Sequence, residues 1–284
     1  MPEQDLFHLK AFLLRKNSPC FGDDYGRGNV KKDGSEGKEM RRAYPALFLI
    51  SGALITYSIG VETNSVFAAS LVGFIFGFLF PSYSAPAYCG AFIGMSSVEI
   101  LPSGLLVLLA SLVSGFIWVY FSKQIPAFGG KAGFIAFLGV LAINLPTIWE
   151  VEPSLPLELE VEMILGVIVT AVIATSATFL VREKIRERFK SDAVIGSALV
   201  GFPLGFLRLF FPGVSIYSEV AFASSFAGMT SFKFVRKPFY YLLIGLVVGV
   251  VFLLSTPFFQ GFGGKLGTIA FLSVMLFLSL KSLH

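Results

Sequence analysis

Apolar blocks of 15 to 21 residues recur along almost the whole chain, and they decide what it can fold into. A bilayer core about 30 Å thick takes roughly 20 apolar residues per helical span. Eight blocks approach or meet that length: 44–61, 65–80, 101–121, 132–149, 163–181, 193–211, 239–259 and 266–280. Two further stretches, 82–100 and 215–232, are apolar but interrupted by small and polar residues. Charged residues make up only 14% of the chain, against about a quarter in ordinary soluble proteins. The reading is an all-α polytopic membrane protein.

The net charge of +4 is no nucleic-acid signal, because the bases sit in short runs between apolar blocks, as orientation in a membrane demands. Cys20 and Cys89 form no disulfide framework, and the two histidines, His8 and His284, lie at the chain ends. No metal site, cofactor or catalytic motif is expected, and no enzyme activity. No leader pattern of basic, apolar and small residues is recognised at the N-terminus. Residues 1–43 read as a polar, largely disordered cytoplasmic tail.

A repeat organises the rest. At an offset of 134, Gly94-Met95-Ser96-Ser97 matches Gly228-Met229-Thr230-Ser231, and Phe128-Gly129-Gly130-Lys131 matches Phe262-Gly263-Gly264-Lys265. Aligning 90–140 on 224–274 without a gap gives 19 identities in 51 positions. Apolar bias alone does not hold two polar-glycine motifs in one register. Further upstream, Leu71-Val72-Gly73-Phe74 resembles Leu199-Val200-Gly201-Phe202 at a slightly different offset. Repeat 1 is therefore placed at 44–149, an acidic extracytoplasmic linker at 150–162, and repeat 2 at 163–284.

Charge then arbitrates topology. If the two interrupted segments cross, each repeat has five spans and the second enters the membrane inverted. With the N-terminus inside, 20 of the 22 bases then fall on the cytoplasmic side, while Glu62, Glu99, Glu150, Glu152, Glu158, Glu160, Glu162 and Glu219 fall outside. Re-entrant segments would instead put Arg182–Lys190 or the basic tail outside. The expectation is about ten transmembrane helices in two inverted repeats of five, the third helix of each broken. Both termini would be cytoplasmic, in a plasma (inner) membrane.

Interrupted segments at matched positions point to the binding site of an inverted-repeat transporter. In the first copy the candidates for a solute or ion pathway are Tyr83, Ser84, Tyr88, Cys89, Gly94, Ser96 and Ser97, with Pro86, Gly90 and Gly94 expected to interrupt a regular helix or let backbones approach closely. In the second they are Tyr217, Ser218, Ser224, Ser225, Gly228, Thr230 and Ser231. Helix packing through small residues competes with a pathway role at each glycine and serine. The paired loops supply Gly129, Gly130, Lys131, Gly263, Gly264 and Lys265, either as backbone nests for an anion or as tight turns followed by an anchoring lysine. Glu99, Glu219 and Arg208 are coupling candidates near one membrane face, where rim carboxylates and a snorkelling arginine are the ordinary alternatives. The leading expectation is a secondary transporter for a small solute or ion; the alternative is a passive channel with a filter formed by the two interrupted segments. Partners are the lipid bilayer and the solute, not nucleic acid, and a homo-oligomer is compatible with the sequence.

Overall fold

The computed structural model describes residues 35–146 and 160–282. The first 34 residues of the tail, with His8 and Cys20, lie outside the described residues, as do His284 and most of the acidic linker. The described chain is all helical: α1 Ser35–Glu62, α2 Ser65–Leu79, α3 Ser84–Gly94, α4 Gly104–Phe121, α5 Lys131–Asn144, α6 Val161–Ile185, α7 Asp192–Arg208, α8 Ser215–Gly228, α9 Pro238–Ser255 and α10 Lys265–Ser282. Five of them are long and apolar enough to cross a membrane, in α1, α4, α6, α9 and α10. Their outward faces carry exposed Leu105, Leu112, Phe116, Ile173 and Leu254. Such a surface suits lipid and would aggregate in water. The chain is a helical membrane protein.

Local chemistry sets the helix boundaries. Asn64 caps α2 by accepting from the Phe67 amide at 2.9 Å, and Ser103 caps α4 from the Leu106 amide. Pro238 opens α9 in the first turn, where a missing amide costs nothing. Gly130 and Gly264 precede α5 and α10 with φ of 86° and 83°, a left-handed conformation that favours glycine.

The offset of 134 maps α4 residue for residue onto α9, and starts α5 where α10 starts. Packing repeats as well. α1 packs on α3 and α4 in the first half, as α6 packs on α8 and α9 in the second. α3 and α4 pack on α5 as α8 and α9 pack on α10, and the halves join through α2 on α7 and α5 on α10. The interrupted segments depart from expectation. Neither α3 nor α8 is broken internally: each is a short continuous helix ending at the matched glycine, Gly94 or Gly228. Pro86 falls in the first turn of α3, where proline is tolerated. Gly90 lies mid-helix because a Cβ there would sit 1.8 Å from the Leu49 carbonyl oxygen. At 1.5 Å per residue, α3 is about 16 Å long, near half the apolar core.

Contacts at helix ends sort the connections into two sets. In one, Phe48 stacks on Tyr83, Phe78 meets Phe189, Ser191 donates to the Gly77 carbonyl, and Lys281 lies over the Tyr240 ring. In the other, Asn64 Nδ2 donates to the Gly205 carbonyl, Tyr57 to the Leu101 carbonyl, and Arg208 pairs with Glu219. The first set carries the basic runs 182–190 and 233–237; the second carries Glu62, Glu99, Glu160, Glu162 and Glu219.

Candidate functional site

The two Phe-Gly-Gly-Lys loops are buried, and each is seated on the end of the other repeat's third helix. Gly129 N donates to Thr230 Oγ1 (3.0 Å) and Ser231 N to the Ala127 carbonyl (3.3 Å). At the matched positions, Gly263 N donates to Ser96 Oγ (3.1 Å) and Ser97 N to the Gly261 carbonyl (2.9 Å). A Cβ on Gly129 would meet the Phe226 carbonyl oxygen at 2.1 Å, and one on Gly263 the Phe92 carbonyl oxygen at 2.5 Å. Backbone against backbone at this range admits glycine alone.

The helices that follow these loops overlap. Gly130 touches Gly267, Ala270 and Phe271 on α10; Gly264 touches Gly133 and Phe137 on α5; Gly133 and Gly267 touch each other. That order makes α5 and α10 antiparallel and overlapped by their first two turns. The glycine loops are then about five residues of helix axis apart, roughly 8 Å. Two loops so close lie deep inside a structure whose long helices run about 27 Å.

Beside the loops sits a cluster of four rings, Tyr88 and Phe92 of α3 with Phe222 and Phe226 of α8. The centroids lie 4.4–6.3 Å apart, with tilted and edge contacts, and all four residues are buried. Tyr88 and Phe222 occupy matched positions, as do Phe92 and Phe226. Gly73 of α2 receives the Tyr88 ring, and Gly201 of α7, its counterpart, receives Phe222. Phe92 and Phe226 also line a cavity of about 20 Å³ with Ala127, Phe128, Gly130, Lys131, Ala132 and Met229. That is room for a single water-sized occupant.

Hydroxyls gather at the same place. Ser225 Oγ donates to the Phe222 carbonyl (2.7 Å), Ser197 Oγ lies 2.8 Å from Ser225 Oγ, and Tyr88 OH lies 3.1 Å from Ser197 Oγ. Ser70 Oγ, buried next to the site where a Gly201 side chain would point, has no partner among the described residues, and neither has Ser224 Oγ.

The expected site residues divide between this centre and elsewhere. Tyr88, Ser96, Ser97, Ser225, Thr230 and the four loop glycines come together. Ser224 is on the same helix, its carbonyl accepting from Thr175. Cys89 is a buried free thiol beside Tyr88. Tyr83 and Ser84 lie at the start of α3, stacked on Phe48 and bonded to the Pro81 carbonyl. Tyr217 and Ser218 lie at the start of α8, where Tyr217 packs on Gly166 and Ser218 bonds to the Ser215 carbonyl. Gly94 and Gly228 are packing positions: a Cβ would meet the Ala53 carbonyl oxygen at 2.3 Å or Thr178 Cβ at 2.6 Å.

The charged candidates are accounted for differently. Lys131 donates to the Ser122 and Ile125 carbonyls, and Lys265 to the Thr256 carbonyl (3.3 Å), so each caps the carbonyl end of the preceding helix. Arg208 pairs with Glu219 at 2.9 Å. Glu99 is exposed, and its hydrogen bond with Ser97 holds its carboxyl below the usual carboxylate range.

Sequence reasoning missed Arg182, counted with the basic loop. Its guanidinium is buried, bonds the Gly228 and Thr230 carbonyls (2.7 and 3.0 Å) and Asp192 (3.1 Å), and lies over the Phe232 ring. It missed Ser197 and the rings of Phe92, Phe222 and Phe226 too. The available signal for the rings was the identity of Phe92 and Phe226 in the repeat alignment. Compared with protein-family models, curated proteins and solved structures, the chain matches none.

Proposed function

We propose that the chain is a secondary membrane transporter. In this reading a small solute or ion passes through a midplane site between two inverted repeats of five spans each, the short helices crossing together with the segments that adjoin them. The observation that carries the reading is the meeting of the two glycine loops, which start α5 and α10 about 8 Å apart and rest on the ends of α8 and α3. Helix ends converging inside a membrane protein are tolerated where they line a site or cavity. Support for opposite sidedness of the repeats comes from the two sets of helix ends, one rich in Lys and Arg and the other in Glu. The basic set would face the cytoplasm of a plasma (inner) membrane.

A passive channel is the second reading, because loops meeting from two sides are also how a fixed filter is built. The ring cluster favours the carrier. A close-packed plug must move before anything passes, and motion of one part against the other is what a carrier does.

The test is flux in liposomes made with purified protein, using urea, glycerol, potassium, ammonium, chloride and nitrate as probes. Saturating flux with counterflow is the expected result. Non-saturating flux would make the protein a channel, and rates equal to protein-free vesicles for every probe would count against both readings.

A further inference from the structure

We infer that the hydroxyl chain Tyr88–Ser197–Ser225 is a latch that holds the central ring cluster shut. It crosses the boundary between repeats: Tyr88 belongs to α3 of the first, Ser197 and Ser225 to α7 and α8 of the second. The inference rests on the transport reading for what the opening is for, but not for the latch itself.

Bookkeeping of protons gives the chain a direction. Ser225 spends its only hydroxyl proton on the Phe222 carbonyl, so it accepts from Ser197. Ser197 has then used its proton as well, so it accepts from Tyr88. Three donors meet three acceptors, and all three side chains are fully buried. Removing Ser197 leaves the buried Tyr88 hydroxyl without its acceptor, and removing the Tyr88 hydroxyl cuts the tie between α3 and α7.

The repeat supplies an internal comparison. Phe222 stands where the latch has Tyr88, Ala69 where it has Ser197, and Ala91 where it has Ser225. The Phe222 ring sits against Gly201 as the Tyr88 ring sits against Gly73, without any hydroxyl. Ring packing therefore does not require the hydroxyl. The chain is an addition to one half of a frame that closes by packing in the other. Its effect is to tie α3 to the opposite repeat, so that separating Tyr88 from Phe222 and Phe226 requires breaking it.

Ser70 of α2, buried beside the Phe222 ring at Gly201 and one turn from the Gly73 that receives Tyr88, is placed to report that separation. In a Cys20→Ser, Cys89→Ser background reconstituted in phosphatidylcholine vesicles, the rate at which a Ser70→Cys thiol reacts with methyl methanethiosulfonate measures how often the cluster opens. Tyr88→Phe and Ser197→Ala are each expected to raise the rate about 3- to 10-fold, as loss of a buried hydrogen bond shifts the open population. The double variant should gain little beyond the larger single effect, because both break one chain. Ile244→Val, a comparable packing loss on α9 away from the rings, should leave the rate unchanged. Unchanged labelling in both hydroxyl variants, or an equal rise with Ile244→Val, overturns the latch. Solute flux with unchanged labelling sinks the latch alone; raised labelling without flux of any probe sinks the transport reading and leaves the latch standing.

Discussion

Arg182 is the residue on which most of one helix end depends. Only 4% exposed, it neutralises the carbonyl end of α8 with two hydrogen bonds and turns its remaining edge to Asp192. The end of a helix carries partial negative charge and unpaired carbonyls, so a buried cation there serves both needs. Replacing it with leucine leaves the Gly228 and Thr230 carbonyls short of donors and Asp192 without its partner. Arg182→Leu is therefore expected to destabilise the folded protein by about 2–4 kcal/mol. Lysine should recover little of that, since one ammonium cannot span the acceptors of a planar fork. Thermal unfolding of the detergent-purified protein measures both. Arg208 is the contrast. Its pair with Glu219 is 26% and 40% exposed at the two side chains, so Arg208→Gln should cost under about 1 kcal/mol. A loss at Arg208 as large as that at Arg182 would mean that the ion pair, rather than the cap, organises this region.

At the scale of elements, the glycine loops make the sharper prediction. Gly129→Ala and Gly263→Ala each drive a Cβ into a backbone carbonyl of the opposite repeat, at 2.1 and 2.5 Å. Neither carbonyl belongs to a flexible side chain, so helices must separate. Each change should cost more than about 2 kcal/mol, toward the upper end of overpacking effects. Gly104, at the start of α4, has nothing within 4 Å of its missing Cβ. Gly104→Ala should be neutral or stabilise by up to about 1 kcal/mol. Equal unfolding midpoints for Gly129→Ala and Gly104→Ala would refute the seating of the loops. The loops also show where sequence stops being informative. The apolar blocks gave most helix boundaries closely: 65–80 became Ser65–Leu79, and 239–259 contains most of Pro238–Ser255. A capping asparagine, a capping serine and a first-turn proline lie in the sequence to be read. The identity of each loop's neighbour does not, because a contact between Gly129 and Phe226 spans almost a hundred residues and leaves no local pattern. The same holds for Tyr88 and Ser197. Pro86 misled because a helix breaker in sequence becomes harmless in a first turn, whereas Gly90 sits where another backbone approaches, one of the two roles its sequence position offered.

The described helices repeat one packing scheme in two halves joined at α2–α7 and α5–α10, and sidedness decides whether those halves face opposite ways. The matched loop lysines are poor places to ask. Lys131 and Lys265 turn inward and hydrogen-bond to carbonyls of the preceding helix, so an impermeant reagent would miss both whichever side they face. Lys123 and Gln260 are exposed and lie on the segments that lead into the two glycine loops. Cysteine at either, in a chain lacking Cys20 and Cys89, should be reachable by an impermeant thiol reagent. In intact cells the inverted arrangement predicts labelling at 260 and none at 123 until the membrane is permeabilised. The basic runs at 182–190 and 233–237 belong with residue 123, so cysteine at Lys190 should behave like cysteine at Lys123. Labelling at both 123 and 260, or at neither, would make the repeats parallel. Loops of parallel repeats enter from one face. The overlap of α5 and α10 by their opposed first turns would then be hard to build, because it asks the two helices to start from opposite sides and pass each other.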